Sequence, residues 1–170
     1  MTRVPTFWRW FGVGSGGVPG FRRLLNVWLL LHLLIGSVAA TLINTELHEL
    51  AQDALLPLLA ILVGLTFSWA GNAHALMQSE EIVEYAKKKA GGMPDYVFTF
   101  QLCILINVVT ICLWAIPTLN IPYPLSSAEV QSVLDWASKA MLFALTSLAI
   151  RTGWHAVLGA NMLLLMRVGR

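Results

Sequence analysis

Arg151 is the residue of this chain whose surroundings most need a chemical explanation. Between Ala140 and Met166 it is the only side chain of fixed charge, in a run of leucine, alanine, methionine and other apolar residues. A guanidinium is a permanent charge with a fork of N–H donors, and placing one in hydrocarbon is costly unless acceptors or water meet it. At about 3.6 residues per turn, Trp136, Ala140, Phe143, Ser147, Arg151, Trp154, Leu158, Asn161 and Leu165 fall on one helical stripe. Ser147, Arg151 and Asn161 therefore share a face that is expected to meet protein or water rather than lipid. A preceding apolar run carries Phe100, Cys103, Asn107, Thr110 and Trp114 on one face. Asn107, Thr110 and Arg151 lie at matching depths, roughly 18–24 Å from the same basic boundary.

This constellation has two readings. In one, Arg151, Asn107, Thr110, Ser147 and Asn161 line a polar track, between helices or around an oligomer axis, that sets ion selectivity. In the other they are structural, with Arg151 bonding carbonyls and Asn107 or snorkelling to an anionic lipid. No Asp or Glu lies inside an apolar run to pair with the guanidinium. That absence also argues against acid–base catalysis within a membrane and against proton-coupled transport.

His32 and His155 lie roughly 13 and 18 Å inside the basic boundary. Two imidazoles on different helices can ligate a haem iron or hold a pigment; the plainer reading is hydrogen-bonded packing. His48 beside Glu46 and Glu49 is a weak metal signal, and neither a metal nor another cofactor is expected. Cys103 and Cys112 point to opposite sides of one helix and cannot pair within it. There is no CxxC, Ser-His-Asp, HExxH, DxD or GxSxG arrangement, so an enzyme is not expected. The glycines of Gly12–Gly20 lack the lysine of a phosphate loop, and no nucleic-acid partner is implied.

The elements that must position these residues follow from composition. The chain is 57% hydrophobic with 12% charged residues and a mean hydropathy of +0.70. Soluble domains carry about 25% charged residues, so this is an all-α polytopic membrane protein. Apolar runs at about 24–44, 55–77, 96–116 and 140–166 read as transmembrane helices in a bundle spanning 24–170. Residues 1–23 form a cytoplasmic or interfacial arm with a Gly-rich linker, its Phe7, Trp8, Trp10 and Phe11 suited to the headgroup zone or to docking on a partner. Ser126 and Glu129 form a capping-box pattern, and the absence of proline beyond it predicts one helix of about 40 residues. Pro57 suits a helix start. Ala60, Gly64, Ser68 and Asn72 recur every four positions as a packing seam. Past Met77 the helix is expected to run on to about Ala90, as one arm of a protruding cytoplasmic hairpin stopped by Gly91 and Gly92.

All lysines and arginines except Lys139 and Arg151 fall in three segments: the N-terminal arm, Lys87–Lys89, and the C-terminus. The positive-inside rule puts these segments and both termini in the cytoplasm of a bacterial inner membrane. Lys87, Lys88, Lys89, Arg22, Arg23 and Arg167 are then candidate contacts for lipid headgroups, a cytoplasmic protein or a small ligand. A bundle this small has more sticky faces than one chain can bury, which predicts a homo-oligomer. The function these features suggest is a channel-like or membrane-effector protein, with bacterial defence or stress as one setting. A scaffold or accessory subunit of a larger membrane complex is the alternative, and a haem or pigment carrier a third.

Overall fold

The computed structural model describes residues 6–14, 18–88, 91–119 and 127–168. Among them every regular element is helical: α1 (Phe7–Val13), a 3-10 turn over Gly20–Arg23, α2 (Val27–Leu42), α3 (Leu47–Leu76), α4 (Glu80–Lys87), α5 (Gly92–Ala115), a 3-10 turn over Pro117–Leu119 and α6 (Ala128–Val168). Three stretches, Leu47–Leu76, Gly92–Leu119 and Glu129–Val168, are long and apolar enough to cross a membrane. With 16 residues, α2 is about 24 Å long, shorter than a ~30 Å hydrocarbon core. The four expected spans thus become three full-length helices and one shorter apolar helix.

α6 is the central element, and α2, α3 and α5 all pack on it. It runs unbroken for 41 residues, as a proline-free stretch permits. Its N-terminus is capped by Ser127, whose Oγ accepts the Val130 N–H at 3.4 Å; Ser126 lies outside the described residues. At the start of α2 the Asn26 side chain accepts the Trp28 N–H at 3.0 Å.

Two local departures from the sequence reading have physical causes. α3 begins at Leu47 rather than after an outer loop, and it passes through a π turn at Ala51–Leu55. Pro57 has no N–H to donate one turn back, so the ladder changes register just before it. At its other end α3 stops at Leu76 instead of running on, and α4 follows as a separate helix. Ile82 and Ala86, one turn apart, are both buried against the bundle. A separate helix can tilt to bury that pair while Glu84 and Lys88 stay exposed, 3.7 Å from each other. Gly91 and Gly92 turn the chain into α5 with φ of +92° and +59°, a conformation that side chains disfavour.

The interior has two apolar clusters. Leu55 and Leu59 of α3, Leu102, Ile106 and Trp114 of α5, and Leu142 and Ala149 of α6 form one. Ala70, Ala73, Met77 and Ile82 meet Phe100, Cys103, Ala156, Ala160 and Leu163 in the other. The N-terminal arm closes the first cluster. Trp10 is 1% exposed, and its ring fills the space left by Gly20, where a Cβ would come within 2.6 Å of it.

Candidate functional site

Most of the buried polar residues lie in two places. The first is the seam between α2 and α6. A Cβ on Gly36 would lie 2.2 Å from the Ala140 carbonyl oxygen and 2.8 Å from the Ala144 Cβ, so only glycine permits the two backbones to come this close. One turn back along α2, His32 Nδ1 shares a hydrogen bond with Ser147 Oγ at 2.8 Å. A further turn back, the Arg151 guanidinium carbon sits 4.7 Å from the centroid of the Trp28 ring. The three contacts pair Gly36, His32 and Trp28 with successive turns of α6 in antiparallel order. His32 is 4% exposed, and its Nε2 is buried with no hydrogen-bond partner.

The second place is the interior face of α5. Asn107 and Thr110 are completely buried. Each turns its side chain onto its own helix: Asn107 Nδ2 donates to the Cys103 carbonyl at 2.8 Å, and the Thr110 hydroxyl donates to the Ile106 carbonyl at 2.7 Å. The Asn107 Oδ1 has no partner. Nearby in the same helix, Trp114 Nε1 donates to Thr146 Oγ1 at 2.7 Å, and the Thr146 hydroxyl donates to the Leu142 carbonyl at 2.9 Å. Among the described residues no hydrogen bond links Asn107 or Thr110 to Arg151 or Asn161.

The stripe drawn on α6 is therefore half covered. From Ala140 to Arg151 it lies against α2. Beyond Arg151, past the N-terminal end of α2, Trp154, Leu158 and Leu165 are 60%, 45% and 70% exposed, and Asn161 is exposed with them. The sequence places all nine stripe residues on one face, but their shielding depends on how far α2 reaches along α6.

The two histidines are not brought together. His32 is engaged by Ser147, whereas His155 lines a separate cavity of about 290 Å³ with Cys103, Phe100, Ala156 and Gly159 at its base and Arg23, Asp95 and Thr99 at its rim. Arg23 is held rather than free. Its Nη2 lies 2.6 Å from Asp95 Oδ2, its Nη1 donates to Thr99 Oγ1 at 2.8 Å, and the Trp10 ring stacks 5.6 Å from the guanidinium. Trp10 Nε1 donates to the other Asp95 oxygen at 2.9 Å. Asp95, in the first turn of α5, thus ties the arm and the entry of α2 to the bundle. Nothing in local sequence pattern marks this role, because its partners lie 72 and 85 positions away. Arg22, Lys87, Lys88 and Arg167 are exposed; Lys89 lies outside the described residues. Comparison with protein-family models, curated proteins and solved structures finds no match.

Proposed function

We propose that this chain is an integral membrane protein of four crossings, α2 included, that assembles with copies of itself and acts as a channel-like or membrane-effector protein. The observation that carries the reading is the open face of α3. Ala60, Gly64, Ser68 and Asn72 are all exposed, and a Cβ on Gly64 would meet nothing within 4 Å. This small and polar seam suits close helix packing, yet a single chain leaves it bare. A hydroxyl and an amide at membrane depth need partners, and small residues allow a neighbouring backbone to approach closely. A second copy brings the same seam, which a symmetric interface can use twice. Asn161 is a second exposed amide on α6, and an assembly that gathers such groups around an axis provides a wet path for ions.

Four crossings are favoured by the contacts at both ends of α2. Arg23 holds its entry beside the first turn of α5, and Gly36 seats its later half on α6. The basic segments then share one face, read as the cytoplasm of a bacterial inner membrane. There α4, with Lys87 and Lys88, offers a hairpin surface to a protein, a small ligand or anionic headgroups. A Lys88→Cys variant should resist an impermeant thiol reagent added to intact cells; labelling from outside would overturn this orientation.

Ion flux in reconstituted liposomes tests the function itself. The channel reading predicts conductance from the purified protein alone. An accessory subunit of a larger membrane complex, whose seam is filled by a different protein, would give none.

A further inference from the structure

At the end of the bundle opposite Arg23, a cavity of about 580 Å³ lies between the start of α3, the end of α5 and the first half of α6. Its rim and floor differ in chemistry. The rim carries the carboxylates of Glu46 and Asp135, the Lys139 ammonium and the imidazole of His48. The floor is Leu113, Ile116, Met141 and Leu145. Met141 and Ile116 are 62% and 45% exposed, so the apolar floor opens sideways to whatever surrounds the helices. Asp135 and Lys139 are one turn apart on α6, yet among the described residues no ion pair joins Lys139 to Asp135 or to Glu46. His48 Nδ1 is buried without a hydrogen-bond partner. Charges of both signs are thus present and mutually unpaired, above an apolar floor.

We infer that this cavity binds a zwitterionic phospholipid with a primary-amine headgroup. Its ammonium carries N–H donors for the two carboxylates, and its phosphodiester supplies the anion for Lys139. An acyl chain extends along Leu113, Met141 and Leu145, reaching up to about two helical turns deeper than Lys139. A choline headgroup has the same charge but no N–H to donate, and a glycerol headgroup lacks the cation. The rim therefore distinguishes headgroups that the floor cannot.

Native mass spectrometry of the full chain, purified from nanodiscs of equal parts phosphatidylethanolamine, phosphatidylcholine and phosphatidylglycerol, tests this. The readout is lipid retained per chain, whatever the number of chains in the particle. The expected result is retention of phosphatidylethanolamine about tenfold over phosphatidylcholine, the scale of one charge-assisted hydrogen bond. Glu46→Gln with Asp135→Asn should abolish that preference, and Lys139→Gln should weaken retention of both zwitterionic lipids. Glu46 and Asp135 are exposed, so these changes leave the fold intact. Equal retention of the two zwitterionic lipids, or an unchanged preference in the double variant, would overturn the proposal. So would soluble phosphoethanolamine competing as well as the whole lipid, since the floor would then contribute nothing.

Discussion

The Trp28 ring and the Arg151 guanidinium face one another across the α2–α6 seam, 4.7 Å from carbon to centroid. No carboxylate lies at this depth, so the ring's negative face is the compensation that the chain itself offers the cation. Trp28 is 53% exposed, and a contact of this kind contributes about 0.5–2 kcal/mol. Arg151→Leu and Trp28→Leu should each lower stability in detergent, and the double variant should lose less than their sum. A coupling of about 0.5–2 kcal/mol in a double-mutant cycle of unfolding is expected. Strict additivity would mean that the two residues act separately.

Gly36 sets how closely α2 sits on α6. A Cβ placed 2.2 Å from the Ala140 carbonyl oxygen must push backbone, not a flexible side chain. Gly36→Val should cost about 1–3 kcal/mol or more and break the His32–Ser147 hydrogen bond as the helices separate. Proteolysis of α2 in detergent measures this. Wild-type protection of α2 in the variant would show that the seam accommodates a larger residue.

Asp95 accepts from both Trp10 and Arg23. Asp95→Asn should release the arm while leaving the three long helices in place. The ion pair is partly exposed, with side chains 44% and 28% accessible, so its loss costs on the order of 1 kcal/mol. Hydrogen exchange at residues 7–13 should accelerate in the variant, with α5 and α6 unaffected. Unchanged exchange in α1 would show that the Trp10 ring, whose centroid lies 5.7 Å from that of Phe98 on α5, holds the arm without the carboxylate.

What could be read in the sequence, and what could not, divides along a physical line. The uninterrupted α6 was legible because no proline breaks it and its apolar run exceeds the ~20 residues that a bilayer crossing needs. The Arg151 stripe was legible as a face, but not as a half-covered one. Helical periodicity orients residues around an axis and says nothing about how far a neighbouring helix reaches along it. α2 starts opposite Arg151 and runs away from it, so Trp154 and Asn161 on the same stripe are bare. The break before α4 was missed because Ile82 and Ala86 are a small apolar pair among many charges. The Arg23–Asp95–Trp10 cluster joins residues too far apart in sequence for pattern to connect. The α3 seam was legible as a packing surface, though not that the rest of the chain leaves it exposed.

That seam is where self-assembly is tested most directly. Gly64 has open space where a Cβ would sit, so Gly64→Leu should leave the single chain's fold and helix content unchanged. In a small-residue interface the same substitution forces the helices apart. The mass of the detergent-solubilised protein, measured by light scattering with size-exclusion chromatography, decides the matter. The expected result is a homo-oligomer for the wild type and a monomer for Gly64→Leu, at equal helicity. A monomeric wild type, or a variant that keeps the wild-type mass, would contradict assembly through α3.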